Sequence, residues 1–518
     1  MKMPVIGSYA VEINKMRCLS QREPGKCATC FEICPHSVFA LDEDGRAYVS
    51  NEIACVGCRL CVENCPQNAI RVRATIPEIY SRGLWTSRVV EEIRTKAELG
   101  KYFIRGFGAL KPLPHFDDFQ IVPAQLAEPA PLDKYREECD VGVVIGEGRV
   151  KKPIRMELPV MIAAMSYGAL SLPAKIATDL AAAKAGTLIS SGEGGSFPDE
   201  ELLVHGYRTR EDFEKGVKTW GPGGYLAVQW STGRWGVDLN YILKADAIEI
   251  KIGQGAKPGM GGHLLGAKVL ENIAKVRGIP VGTDCLSPAR HMDILDVRKH
   301  LKKQIDVLKD ITNYEKPVIV KLGPGRVYKD VKLAVEAGAD AVEIDGKYGG
   351  TGASPEQTTQ HAGLPTVACI PPAVKALKEL GVYHDVKLII MGGVTSGADV
   401  VKAIALGADA VGMASAILIA MGCHTCFSCQ TGKCPMGITT QDPELTARLI
   451  PDEAAQRVAN FLAVIKEEVR TLTMLSGHSS IKELSKEDLR ALSMDAAAIA
   501  GVKLAGLDDY ILPLKRDE

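Results

Sequence analysis

From Pro159 onward the chain alternates short apolar segments with helical stretches over about 260 residues, and no other feature restricts its fold as much. The segments are VMIAAMS, TLISSGEGG, YLAVQWS, AIEIKIGQG, IPVGTDC, PVIVKLGPG, AVEIDGKYGGTG, LIIMGGVTSG and AVGMASA. Such alternation predicts parallel strands covered by helices. Most segments run out into Gly, Ser, Lys or Asp, as expected where the C-terminal strand ends of a (β/α)8 barrel carry a site. Nine segments compete for eight places, and IPVGTDC is read as accessory. A doubly wound sheet is the alternative, but no GxGxxG follows the first strand. The expected class is α/β, a TIM barrel.

At ~150 residues per domain, 518 residues predict roughly three domains, so the barrel is not alone. Lys+Arg 62 against Asp+Glu 63 leave a net charge of −1, and no global field gathers nucleic acid or an anionic membrane. The most membrane-like run, Ala410 to Cys423, has 14 uncharged residues, short of the ~20 that span a bilayer. Neither nucleic acid nor membrane is an expected partner. The 15 cysteines fall as eight between Cys18 and Cys65, four between Cys423 and Cys434, and three scattered. That clustering points to metal ligation. The opening MKMPVIGSYAVEINK lacks the apolar core of a signal peptide, so the chain is read as cytoplasmic, in a reducing compartment. Cys139, Cys285 and Cys369 are read as ordinary buried thiols.

Cys55-x2-Cys58-x2-Cys61-x3-Cys65-Pro is the four-cysteine spacing of bacterial ferredoxins. Three such thiolates hold one iron–sulfur cube, while the fourth, carried on past a Pro, reaches the other cluster of a two-cluster domain. Cys27, Cys30 and Cys34 repeat the pattern 31 residues earlier, except that Pro24 stands where a fourth ligand is due. Cys18 substitutes across a longer loop. The favoured sets are Cys34, Cys55, Cys58 and Cys61 for one [4Fe–4S] cluster, and Cys18, Cys27, Cys30 and Cys65 for the other. Were Cys18 too distant, its site would hold a three-iron cluster or none. Zinc knuckles are the bland alternative.

Residues 1–75 are therefore expected to form an α+β ferredoxin-like domain. Residues 76–150 change character, with an amphipathic helix around Thr86–Leu99 and then a Pro-rich stretch, and are read as a linker wrapping the barrel. The barrel domain is expected over 151–440 and a C-terminal helical segment over 441–518. In the latter, Ala454, Val458, Phe461, Leu462, Ile465, Val469 and Leu472 keep a 3.6-residue period from about Asp452, closed by Gly477.

Two glycine turns, MGGVTSG at 391–397 and GMASA at 412–416, follow the last two strands, where barrels commonly bind a phosphate. Iron–sulfur motifs without a dinucleotide fingerprint point to FMN as the phosphate-bearing cofactor. The bland reading is a pair of tight turns.

AAMSYGALS (163–171), SSGEGG (190–195), IKIGQGAKPGMGG (250–262), DGKYGGTGASP (345–355), MGGVTSGADVVKA (391–403) and CPMGITTQDPEL (434–445) resemble the FMN-binding synthase domain of glutamate synthase over roughly residues 150–475. With its ferredoxin-like N-terminus the chain resembles the compact, archaeal-type large subunit. It departs from the full-length enzyme in having no amidotransferase domain with an N-terminal Cys nucleophile and no C-terminal β-helical domain. The resemblance implies FMN contacts at Ala164, Met165, Ser166, Ser191, Gln229, Lys321, Gly349, Gly350, Thr351, Gly392, Gly393, Gly412, Met413 and Ala414. It also implies a three-iron cluster on Cys423, Cys429 and Cys434. Here Cys426 is added, so the group holds either a [3Fe–4S] or a [4Fe–4S] cluster, or, in the bland alternative, zinc.

In that family ammonia condenses with 2-oxoglutarate to an imine that reduced FMN converts to L-glutamate. The resemblance assigns Lys251 and Gln254 to the keto acid and Glu193 to ammonia entry and proton transfer. Arg234 is a further candidate anchor for the dicarboxylate. Lys321 is expected near flavin N1, where a cation stabilises the reduced ring. For any one Lys or Glu, a surface salt bridge is the bland alternative. The expected partners are a separate glutaminase, an NAD(P)H-oxidising flavoprotein subunit or ferredoxin, and further copies in an oligomer. The competing functions are a relative acting on another amine or keto acid, such as an N-methylglutamate synthase subunit, and an electron-relay subunit with an idle barrel.

Overall fold

The computed structural model describes residues 9–75, 86–127, 129–131, 133 and 135–507. The first half of MKMPVIGSYAVEINK, the start of the expected linker at 76–85, and the segment 508–518 lie outside the described residues.

Eight parallel strands close into a barrel: β1 (Val160–Ile162), β2 (Leu188–Ser190), β3 (Tyr225–Trp230), β4 (Ala247–Lys251), β5 (Val318–Leu322), β6 (Ala341–Asp345), β7 (Lys387–Met391) and β8 (Ala410–Met413), with β8 pairing back to β1. Eight of the nine apolar segments supply them. These runs are apolar on both sides because barrel interior and helical shell bury both faces. Of the ninth, IPVGTDC, only the last residue is in a strand: Cys285–Leu286 pairs antiparallel with His263–Leu264 off the barrel. This accessory hairpin belongs to the long β4–β5 connection and has its own apolar cluster of Leu264, Val269, Ile273 and Cys285 packed on Tyr167 and Phe197.

The covering helices begin where sequence chemistry satisfies their first amides. Ser171 accepts from the Ala174 amide at the start of α1 (Leu172–Ala185), and Gly186 closes it in the left-handed region at φ 63°. Asp296 caps α2 (Val297–Ile311) and Ser396 caps α3 (Gly397–Ala405) in the same way. After β8 comes α4 (Ser415–Met421), which has no side-chain cap. The periodic C-terminal segment forms α5 (Pro451–Leu475), with Ala454, Val458, Leu462, Ile465 and Val469 buried against α1 and α3.

The helix at the start of the described wrap is present as Ser87–Leu99, capped by Thr86. The segment after it does more than connect. Ile104–Phe107 pairs with Thr351–Pro355 beside β6, Phe119–Ile121 pairs with Leu489–Ala491, and Val143–Ile145 pairs with Ile154–Met156. The C-terminal segment is thus not helical throughout, since its strand Leu489–Ala491 is needed to complete that clasp.

At the N-terminus Tyr9–Ile13 pairs with Ile70–Ala74, and a hairpin joins Phe39–Leu41 to Ala47–Val49. Short helices Thr29–Ile33 and Leu60–Glu63 lie inside the two cysteine motifs, around Cys30 and Cys61, so the sequence repeat is also a structural one. Among the described residues no helix is long and apolar enough to cross a membrane.

Candidate functional site

Two adjoining cavities open at the C-terminal strand ends and share Phe107, Ala164, Lys321, Asp345, Gly350 and Ala414. Met165, Ser166, Gln229 and Thr351 line the first. Gly349, Gly392, Gly393, Gly412 and Met413 line the second. Side-chain-free walls make that second arm: Gly392 has φ 105°, and a Cβ there would come within 2.8 Å of the Gly346 carbonyl. Ser415 and Ala416, in the uncapped first turn of α4, line the same arm, so their amides are left for an anionic group. Ser191 lies outside both cavities. It is fully buried, with its hydroxyl 2.8 Å from the Tyr241 hydroxyl.

Glu193, Lys251 and Gln254 all line the first cavity. Lys251 ends β4 and donates to Glu193 Oε2 at 2.9 Å, and Ser287 donates to the other carboxylate oxygen. Burial raises the Glu193 pKa, but Lys251, the Ser287 hydroxyl and Arg277 outweigh it and bring it down to about 2. Glu193 is therefore a carboxylate throughout the neutral range. Its glycine surroundings are a steric requirement: Gly192 has φ 78°, and a Cβ there would sit 2.5 Å from the Ser166 amide nitrogen, while one on Gly262 would sit 2.2 Å from the Glu193 carboxylate. Gln254 donates across 3.5 Å to Thr351.

Arg234 is not brought to the cavity. Its guanidinium pairs with Asp293 at 3.1 Å, approaches His291 Nδ1 at 2.9 Å and stacks 4.1 Å over the Trp230 ring. A guanidinium so occupied has its carboxylate partner already. His291 in turn meets the Lys251 carbonyl at 2.8 Å, so Arg234 acts on the site only by bracing this wall.

Lys321 lies in register with Lys251 on β5 and reaches both cavities. Beneath it Glu249 and Glu343 approach its ammonium at 3.6 and 3.8 Å. Burial lowers the Lys321 pKa, but Glu249, Glu343 and Asp345 together raise it above the ordinary value. Burial, with the Glu249 carboxylate beside it, pushes the Glu343 pKa well up against the pull of Lys321. The result is a retained cation under the shared part of the cavities.

Among the cavity residues that escaped sequence reasoning are Lys257, Arg277, Cys285 and Ser287. Lys257 is buried, donates to the Ala353 carbonyl at 2.6 Å, and has its pKa lowered to about 7 by burial and by Lys251, against the pull of Glu193. It stands inside the IKIGQGAKPGMGG motif, so its signal was present. Arg277 donates to the carbonyls of Tyr167 and Glu193, and Ser287 and Cys285 line the wall beside it. These three belong to the accessory connection, where no strand end marks them. Cys285 is buried as expected, yet it faces the cavity.

The twelve clustered cysteines surround three further cavities, four to each. Cys18, Cys27, Cys30 and Cys65 line one, and Cys34, Cys55, Cys58 and Cys61 the next. Cys423, Cys426, Cys429 and Cys434 line the third, and Cys429 also lines the first strand-end cavity. Four thiolates around a small apolar hollow are a donor set that suits an iron–sulfur cluster. Gly57, at φ 68° between Cys55 and Cys58, has no room for a side chain, since a Cβ would meet the Tyr9 ring at 2.4 Å. His424 Nδ1 lies 2.9 Å from the Cys58 carbonyl, and Arg448 donates to the carbonyls of both Ile33 and Pro435. The second and third cysteine sites are thereby held against each other. Gly106 of the wrap presses on Cys429, with Phe107 edge-on to Phe427 at 5.2 Å.

The model described as a conserved region in glutamate synthase matches residues 123–479, and that of a 4Fe-4S dicluster domain matches 25–70. A glutamate synthase large subunit-like protein of Rhizobium meliloti is 43% identical over 435 residues, covering 81% of this chain and 94% of its own. An archaeal-type glutamate synthase (NADPH) of a Thermotoga species is 37% identical over 529 residues, covering 98% and 99%. The archaeal glutamate synthase (NADPH) of Archaeoglobus fulgidus is 34% identical over 528 residues, covering 97% and 98%. With residues 123–479 and the dicluster segment both matched in one chain and relatives aligned over nearly its whole length, this protein belongs to the glutamate synthase family and is a glutamate synthase-type oxidoreductase.

Proposed function

We propose that the chain converts 2-oxoglutarate and ammonia to L-glutamate in the first strand-end cavity, with FMN spanning both cavities and electrons arriving through three iron–sulfur clusters. The observation that carries this is that one cavity is lined both by Glu193, Lys251 and Lys257 and by Cys429 of the inner cysteine group. When bound, reduced FMN would supply hydride to the imine carbon.

The residues divide the rest of the work. Lys251 and Lys257 offer two ammonium groups to the two carboxylates of the keto acid, and Lys251 gives up its pairing with Glu193 to do so. Glu193 attracts ammonium while ionised and, once Lys251 has turned to the keto acid, is released to accept its proton. Arg277 fixes the Glu193 backbone from behind. Lys321 places positive charge where an anionic reduced ring needs it. Gly392, Gly393, Ser415 and Ala416 leave room and amides for the phosphate.

Cys18, Cys27, Cys30 and Cys65 form the outer cluster site, Cys34, Cys55, Cys58 and Cys61 the middle one, and the 423–434 loop the inner one, an order supported by the His424 and Arg448 contacts. No NAD(P)H fingerprint occurs in the sequence, so a separate flavoprotein subunit or a ferredoxin supplies electrons, and a separate glutaminase supplies ammonia where glutamine is the source. Fifteen unpaired cysteines suit a reducing cytoplasm. The test is glutamate formation by the purified holoprotein with an artificial reductant. Ammonia should support it without glutamine. A strong preference for methylamine would transfer the assignment to an N-methylglutamate synthase, and no product with either would leave an idle barrel.

A further inference from the structure

Lys268 has no part in the reaction as described, yet its placement is costly. It is 3% exposed, ends the turn Gly266–Lys268 after the accessory strand, and lines the first cavity beside Cys429, Gln430 and Thr439. Its alkyl chain lies along the inner cysteine loop, since a Cβ on Gly432 would meet its Cγ and Cε at 3.7 Å. The acidic groups that face it are the Cys429 and Cys434 thiols of that loop. An isolated buried ammonium is strongly unfavourable, so a lysine here needs a negative partner that the thiols alone provide weakly.

We propose that Lys268 is the electrostatic partner of the inner iron–sulfur cluster and raises its reduction potential, which makes it a positioning residue for electron delivery to the flavin. This rests on the proposed cluster at Cys423, Cys426, Cys429 and Cys434. Reduction adds one electron and no proton to that cluster, and a fixed cation inside a low-dielectric wall favours the more negative state. Lys433, on the same loop, is exposed, so solvent screens its charge.

The experiment is a redox titration of the anaerobic holoprotein followed by electron paramagnetic resonance, with the N-terminal clusters as an internal reference. The cluster spectrum itself establishes that the site is loaded, which separates failure of this proposal from failure of the cluster assignment. Lys268→Met should make inner-cluster reduction about tenfold less favourable, a fall of about 59 mV for a one-electron couple, while the N-terminal clusters stay in place. Lys268→Arg should keep the potential close to wild type, and Lys433→Met should move it less than Lys268→Met. If Lys268→Met fails to assemble the inner cluster but Lys268→Arg assembles it at the wild-type potential, the need for charge is established in a stronger form. An unmoved potential in Lys268→Met, an equal fall in Lys268→Arg, or an equal fall in Lys433→Met overturns the proposal.

Discussion

The N-terminal cysteine domain and the barrel reach a folded state by different routes. In the first, the buried apolar cluster is small, made of Val11, Val38, Phe39, Ala47 and Ile70 interleaved with Cys30 and Cys61. In the second, one continuous core runs through all eight strands, α1 and α5, and takes in the clasp at Phe116 and Phe119. A domain of such size with so thin a core needs metal to complete it, whereas the barrel does not. On the proposed cluster assignment, the outer and middle cysteine sites serve stability and electron transfer together, while the inner site is attached to a scaffold that stands without it.

Removing iron gives the largest expected effect. After anaerobic chelation, amides of Val11, Phe39 and Ile70 should lose hydrogen-exchange protection while those of β1–β8 keep theirs. An N-terminal domain that stays protected without iron would erase the contrast. Within the barrel the same comparison predicts chemical rather than structural losses. Glu193→Gln should lower turnover about 10²–10⁴-fold with the fold intact and 2-oxoglutarate binding nearly unchanged, as for the loss of a general acid–base group. Single-turnover kinetics alongside calorimetric binding checks it.

Smaller effects follow at the cations. Lys251→Ala removes a charge-assisted contact of ~1.5–3 kcal/mol, so keto-acid binding should weaken roughly ten- to hundredfold with flavin content retained. Lys257, at about 7, is charged below that pH and loses its proton above it. Binding of the dianion should therefore weaken as pH rises through about 7, by up to tenfold per unit, and Lys257→Met should flatten the profile. A wild-type dissociation constant that is level across this range would contradict the assignment. The smallest change is one iron: Cys426→Ala should turn a four-iron spectrum of the inner cluster into a three-iron one, and an unchanged spectrum would mean a three-iron site from the start.

Legibility in the sequence followed the same division. Cysteine spacing is set by covalent reach around a cluster, so CVGCRLCVENCP and its repeat marked which cysteines gather, and Cys18 lines the same hollow as Cys27, Cys30 and Cys65. Strand ends were legible because a parallel barrel buries apolar runs and turns polar residues out at one rim, which exposed Glu193, Lys251 and Lys321. Arg277, Ser287 and Lys268 were missed since they enter from the β4–β5 connection, whose contacts depend on tertiary folding and leave no periodic trace. Arg234 misled because a strand-end arginine looks alike whether it faces a ligand or, as here, Asp293. The 104–122 wrap was read as a linker because its strands are three or four residues long and pair only with distant partners.

The central proposed event is the transfer of electrons from the clusters through the strand-end cavity to an imine of 2-oxoglutarate. Its most direct measurement is flavin reoxidation in a single turnover: the holoprotein is reduced anaerobically, mixed with 2-oxoglutarate, ammonia or both, and the flavin absorbance is followed. Fast reoxidation with L-glutamate formed in stoichiometric amount only when both are present is the predicted result. Reoxidation by 2-oxoglutarate alone, or none with the pair, would contradict it.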